Sequence, residues 1–375
     1  MATVQRFFAR ALVLVAGLTA LGCVATASAQ LLPKRVVGDY GYWSRTQSPP
    51  YSAAQIPFAK LTHINHAGVS FDATGALSVP KGFLEPELIE KAHAAGVKVM
   101  LLLGGDFVGL EKNSKGLQAL VANVQAFVNE KGYDGVDIDW EYPSSSLDKK
   151  TFFALMSALR QAMPDPTYVL SADVPPWGPY QYDFPHVEPL VDYFNVMMYD
   201  CAGPWTGHAQ LNSAIFPDPN NPAPYECEPG GSVKEAANIY LENLRIPPSK
   251  INMGTPFYAY HYRTLTALWG ECPNSDCSNS VDSVNYGTFV KPRIDHQGWV
   301  TYYDPISLAP YMLRADGKPG YITYDDYFST YYKVWYSDWF RGLGGTFLWE
   351  LSADYDGHSQ DLLDAMYHAS IQQNN

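Results

Sequence analysis

Four carboxylic acids crowd into the eight positions of DGVDIDWE, at Asp134, Asp137, Asp139 and Glu141, with no basic residue among them. Like charges at that spacing repel, and burial disfavours the ionised form further, so at least one acid in such a row keeps its proton near neutral pH. Read as a β-strand, the stretch alternates: Asp137, Asp139 and Glu141 point to one side, and Val136, Ile138 and Trp140 to the other. An apolar face of this kind packs inside a protein, which argues against a merely solvated acidic surface. A calcium loop also alternates acids, but it requires glycine at its sixth position, and counting from Asp137 that position is Tyr142. A protonated carboxyl is what cleavage of a glycosidic bond requires at the leaving oxygen. Glu141, last in the row, is the expected donor.

The row needs a frame to hold it. From Val36 onward, short β-branched runs alternate with longer amphipathic segments. The expected strands are Val36–Tyr42, Thr62–Val69, Lys98–Leu103, Gly135–Asp139, Tyr168–Asp173, Tyr193–Met198, Ile251–Pro256 and Gly345–Trp349. Helical patterns cover Pro86–Ala95, Gly116–Lys131, Lys149–Met163 and Ser232–Leu244. Eight strand–helix units close a parallel sheet into an α/β (β/α)8 TIM barrel. The acid row then rises through the interior towards the C-terminal mouth, where barrel enzymes keep their sites. The spacing breaks once, with about ninety residues between the seventh and eighth strands. A structureless loop of that length is improbable, so a small inserted α+β domain is expected there, near 258–335.

With these residues in view, the sequence resembles family 18 of the glycoside hydrolases, the chitinase family. DGVDIDWE matches the family's DxxDxDxE signature at all four acids. GYW at Gly41–Trp43 and FAKLTHIN at Phe58–Asn65 resemble its first two strands, and LLGG at Leu102–Gly105 falls where its SxGG motif lies. MMYD at Met197–Asp200 resembles its MxYD motif, while GYITYDD at Gly320–Asp326 and GGTFLWELSAD at Gly344–Asp354 resemble the end of its inserted domain and its last strand. The likeness covers nearly all of the chain after its first thirty residues.

The resemblance implies that the substrate's own 2-acetamido oxygen attacks the anomeric carbon, giving an oxazolinium intermediate and retention. It assigns Glu141 as acid and then base. Asp139 holds the acetamido N–H, Asp137 shares a proton with Asp139, and Asp134 is structural. Tyr199 and Asp200 position the acetamido group, and Trp349 forms an apolar floor. Met197, Gly104, Gly105 and Tyr42 fall within matched stretches and are expected to bind substrate. Trp177 and Trp205 follow the fifth and sixth strands, where they are placed to stack on sugar rings; Trp43, Trp269 and Trp299 are less firmly placed. His208, after Trp205, reads as a loop-fixing residue.

The departures are Leu102 for the family's Ser, Cys201 and Ala202 after MMYD, Ala259 and Tyr260 where Gly-Arg is frequent, and His66 where Tyr is common. They bear on which glycan is cut. The expected partner is chitin or a chitooligosaccharide. An endo-β-N-acetylglucosaminidase acting on another N-acetylated glycan keeps the same chemistry, and a chitinase-like lectin would bind without cutting. Lectins of this kind lose an acid of the signature, which is intact here.

The 375 residues, 47% hydrophobic, suffice for a large core, and aromatics at 14% supply both packing and stacking surface. Arg6 and Arg10, the apolar stretch Ala11–Leu21 and ASA at Ala27–Ala29 read as a secretory signal over 1–29, leaving 30–375 as the catalytic barrel. Cys23 in LGC also suggests a lipoprotein, although Ala20 stands three before it where Leu is expected. Losing the signal removes two of 25 basic residues and none of 38 acids, taking the net charge from −13 to −15. With no basic cluster, nucleic acid is disfavoured as a partner, and no membrane association is expected after processing. Cys201, Cys227, Cys272 and Cys277 remain, an even count that suggests disulfides in an exported chain. Three pairings are possible, and proximity favours Cys201–Cys227 with Cys272–Cys277. A zinc site is the rival, but neighbouring acids and histidines lack ligand spacing. No metal or cofactor is implied, and a monomer is expected.

Overall fold

The computed structural model describes residues 33–177, 181–222, 227 and 231–371. The expected signal segment and Cys23 lie outside them. The strands in chain order are β1 (Arg35–Gly41), β2 (His63–Phe71), β3 (Leu77–Ser78), β4 (Lys98–Leu103), β5 (Gly135–Asp139), β6 (Val169–Val174) and β7 (Tyr193–Val196). β8 (Ile251–Pro256), β9 (Tyr258–Tyr262), β10 (Val281–Asn285), β11 (Trp299–Asp304), β12 (Ala309–Arg314), β13 (Tyr321–Thr323) and β14 (Gly345–Trp349) follow. Around them lie α1 (Pro86–Ala94), α2 (Phe107–Leu110), α3 (Ser114–Lys131), α4 (Ser146–Ala162), α5 (Phe184–Val187), α6 (Val233–Asn238), α7 (Tyr327–Trp335) and α8 (Asp361–Ile371).

Eight of the strands run parallel in the order β1-β14-β8-β7-β6-β5-β4-β2, and β1 pairs with β2 to close the ring. This is the expected (β/α)8 barrel. The remaining long stretch between β8 and β14 supplies a second, antiparallel sheet in the order β10-β9-β13-β12-β11. β9 follows β8 after one residue, Phe257, so the two sheets share a continuous run of chain.

Most element ends moved by one to three residues, for local reasons; the helix expected to reach Leu244 is α-helical only to Asn238 and continues as a π-helical turn over Ile239–Asn243. Asn113 caps α3 through Gly116 N, which begins that helix ahead of the first apolar residues. Ser145 and Asp148 form a capping box that starts α4 at Ser146. β7 stops at Val196, because short-range bonds from Met198 N to Val196 O and from Tyr199 N to Met197 O curl the chain out of the sheet.

The barrel interior is polar. Asp39, Asn65, Asp137, Ser171, Asn195 and Asn252 are all fully buried on its strands, where barrels more often stack branched apolar side chains. Their bonds join neighbouring strands and also cross the lumen between non-adjacent ones: Asn65 Nδ2 donates to Asp137 Oδ2 at 2.8 Å, and Arg35 Nε donates to Asn252 Oδ1 at 2.9 Å. The apolar side faces outward into the helices, with Val136 and Ile138 fully buried and Trp140 stacked on Phe107 at 4.7 Å and 5°.

Candidate active site

β5 carries the acid row as its alternation predicts. Asp137 sits deepest and is fully enclosed, taking hydrogen bonds from Asn65, Ser171 and Asn195. Burial pushes its carboxyl up to about 6, against the opposing bonds of Ser171 and Asp173. Asp139 follows. Burial, and then the charges of Glu141 and Asp137, hold its carboxyl well above the usual range. A hydrogen bond with Glu141 adds to the same upward shift. Glu141 is also raised, first by burial and then by the charge of Asp200, while Tyr142 and Asp139 bond to it and oppose the shift.

Above this row opens a cavity of about 400 Å³, lined by Asp139, Glu141, Met197, Tyr199, Asp200 and Trp349 among others. These six come from β5 and the chain just after it, from the chain leaving β7 and from β14. Asp200 stands at φ 62 and is fixed by its backbone N–H on Asn212 Oδ1 at 2.9 Å. Tyr260 Oη donates to its Oδ1 at 2.7 Å, and Tyr258 donates to the same oxygen. Burial raises the Asp200 carboxyl, and the two tyrosine bonds act in the opposite sense. Trp349 packs 6.2 Å from Trp43, extending the aromatic wall.

Several sequence-predicted residues lie off this lining. Asp134 accepts Val99 N at 2.7 Å and His93 Nε2 at 2.8 Å, which ties the approach to β5 to α1 and β4. Tyr42 packs on Trp43 and Phe83, and Trp177 on Tyr142. Trp205 is 49% exposed, stands edge-on to Tyr260 and bonds the Asp200 carbonyl at 3.3 Å. Gly104 and Gly105 lie beneath: a Cβ on Gly104 would come 3.7 Å from Asp139 O, and Gly105, at φ 153, leaves no room beside Phe71. The disulfides are Cys201–Cys227 and Cys272–Cys277, the nearest-neighbour pairing.

Sequence reasoning missed Asp173, Gln47, Tyr142, Tyr258, Ser283, Asn285 and Glu350, all in the lining, and singled out Tyr260 only as a departure bearing on the glycan. Asp173 had a signal, an acid at the end of a barrel strand; Tyr258 and Tyr260 had one in the period-2 spacing of FYAY. Of the departures, Leu102 is buried. His66 is stacked between Tyr40 and Phe83 and bonded to Tyr133, and burial lowers its pKa to about 3 and keeps it neutral. Among the described residues no cluster of three or more His, Cys, Asp or Glu could hold a metal, and no helix is long and apolar enough to cross a membrane.

A barrel with an acid row at its mouth is a common plan, and the family model decides which version this is: Glycosyl hydrolases family 18 matches residues 35–354. The chain belongs to that family. It is a glycoside hydrolase whose matched span contains every residue of the cavity lining. Chitinase 1 of Aphanocladium album is 24% identical, over 94% of this chain and 90% of that protein. Chitinase ChiA of Flavobacterium johnsoniae is 25% identical over 86% of this chain, which spans only 27% of that longer protein. A crystal structure of the Ostrinia furnacalis Group IV chitinase in complex with allosamidin superposes with a TM-score of 0.78 at 23% identity, covering 89% of this chain and 98% of that one. At that identity the superposition speaks for the fold.

Proposed function

We propose that this family-18 enzyme is a secreted chitinase that hydrolyses the β-1,4 bonds of N-acetylglucosamine polymers with retention, using the substrate's acetamido group as nucleophile. The observation that carries the reading is the convergence of Asp139, Glu141, Tyr199, Asp200 and Trp349 on one cavity above the buried Asp137. The chitinases named above support the polymer. The two disulfides and the n-region, apolar stretch and ASA of residues 1–29 support export.

In this reading a sugar sits over Trp349 with its acetamido group among Asp139, Tyr199 and Asp200. Glu141 gives its proton to the glycosidic oxygen as that bond breaks, and the acetamido oxygen bonds to the anomeric carbon. Asp139 stabilises the positive oxazolinium by accepting the acetamido N–H; its Oδ1 has no hydrogen-bond partner among the described residues. Water then attacks the anomeric carbon, reopening the ring and returning a proton to Glu141. Asp137 tunes Asp139 by charge, and Asp134 is structural. Met197 borders the acetamido pocket, Gly104 and Gly105 let the backbone pass beneath the row, and Tyr42, Trp177 and Trp205 lie further out along the groove. The stretch 258–335 is read as the inserted α+β domain, raising one wall of the cleft through Tyr258, Tyr260, Ser283 and Asn285. The protein acts as a monomer.

The test is hydrolysis of a chitooligosaccharide series by the mature protein beside Glu141→Gln, with the anomer of the first product read by NMR. β-Product from the wild type and none from the variant is expected. Binding without cleavage would make the protein a lectin. If it neither binds nor cuts, the cavity serves another N-acetylated glycan, and N-glycan cores become the next substrates to try.

A further inference from the structure

A second cavity, of about 380 Å³, lies beside the first, within the usual range for ligand pockets of about 300–1,000 Å³. Its walls come from the loop after β7, the first turn of α6, the β9–β10 connection and the turn between β11 and β12. Cys201 lines it, while the adjacent Asp200 lines the catalytic cavity. Trp269 supplies a flat apolar surface, and Gln210, Asp218, Glu235 and Ser307 supply polar groups.

Two features mark this as a built site. Ser307 is 1% exposed, yet its Oγ has no hydrogen-bond partner among the described residues. A buried hydroxyl left unpaired costs about 1–3 kcal/mol, and a ligand that bonds it recovers that loss. Trp269 is held at φ 64, a backbone region that bulky residues rarely adopt, and the next residue is pinned by Ala209 N on Gly270 O at 2.7 Å. The lining contains carboxylates and no Lys or Arg, which selects against anions, and it holds too few acids for a metal. An aromatic face beside carboxylate and hydroxyl acceptors suits a ring with one apolar face and an edge of hydroxyl donors.

We infer that this cavity is a second, non-catalytic sugar site that takes a single pyranose ring against Trp269, with hydroxyls donated to Ser307, Asp218 and Glu235. The site is independent of what the catalytic cleft cuts. It provides a hold on glycan next to, and walled off from, the cleft.

The experiment is fluorine NMR of the mature chain labelled with 5-fluorotryptophan, titrated with N-acetylglucosamine; Trp269→Phe and Trp349→Phe assign the two reporter signals. The Trp269 signal is expected to move saturably. In Ser307→Ala its midpoint rises about tenfold, the equivalent of one lost hydrogen bond, while the Trp349 titration is unchanged. Ser307→Ala removes a hydroxyl without a partner, so the fold is not at risk, and the undisturbed Trp349 signal verifies that. A Trp269 signal that stays still at the solubility limit of the sugar overturns the inference, whatever Trp349 does. So does a Trp269 midpoint that is the same in Ser307→Ala. Failure of the chitin reading shows separately, as a Trp349 signal that never moves.

Discussion

Among the described residues, Asp200 is held by tyrosines and pairs with no cation. Two tyrosine hydroxyls, those of Tyr258 and Tyr260, converge on one of its oxygens. Neutral donors leave the negative charge unneutralised, and that charge is one of the influences raising Glu141. Removing it favours ionised Glu141 and lowers its pKa. Asp200→Asn is therefore expected to move the basic limb of the kcat/KM pH profile to lower pH, in addition to slowing the reaction. A limb that stays in place would mean Asp200 does not set the proton affinity of Glu141. Glu141→Gln itself is expected to lower kcat by about 10²–10⁴-fold while oligosaccharide binding persists, which calorimetry and steady-state kinetics together would measure.

Elements place these residues, and the acid at the foot of β5 illustrates how. Asp134 belongs to the signature by spacing, but its carboxylate is spent on Val99 N and His93. The His93 contact is 44% exposed on the histidine side and contributes little; the bond to the backbone of β4 is the part that counts. Asp134→Ala is expected to lower stability by about 1–3 kcal/mol in urea unfolding, with kcat/KM near wild type below the transition. Loss of activity at full folding would instead move Asp134 into the chemistry. The capping box of α4 works similarly: Ser145→Ala frees the N–H groups of Leu147 and Asp148 and should cost about 1 kcal/mol.

At the scale of the whole molecule, the barrel concentrates carboxyl groups that resist ionisation. Burial raises Asp39, Asp137, Asp139 and Asp173, with Asp137 reaching about 6. A carboxyl raised in the folded state binds a proton that the unfolded chain, with its ordinary value, has released. Its contribution is complete below the unfolded value near 3.8 and is lost as pH rises through the folded one. Between about pH 4 and 6 the protein should therefore become more stable as pH falls, by about 1.4 kcal/mol per pH unit for each proton taken up. Asp148 and Asp356, whose partners hold them below the usual range, reverse the trend only at lower pH. Thermal melts across this window check the sign, and Asp137→Asn should flatten the slope. The Cys201–Cys227 bridge, spanning 26 residues, closes the loop that carries one wall of the second cavity. Its reduction is expected to cost about 3–4 kcal/mol, seen as a lower Tm with dithiothreitol.

What could be read along the chain was whatever depends on near neighbours. The alternation of DGVDIDWE told which side chains share a face, the β-branched runs marked the eight barrel strands, and proximity pointed to both disulfides. The DGVDIDWE motif likewise pointed to the glycoside hydrolase family. What depended on closure could not be read. Asn65 and Asp137 are 72 residues apart and meet only because the sheet closes into a ring. Tyr258 and Tyr260 reach Asp200 across 58 and 60 residues because β9 follows β8 almost without a break. Trp177 and Trp205 stand after the expected strands, and their edge-type contacts with Tyr142 and Tyr260, which join separate stretches of chain, could not be read from the sequence. Periodicity states the direction in which a side chain points, a property of one strand; what stands opposite it is set by register and ring closure, which are properties of all eight together.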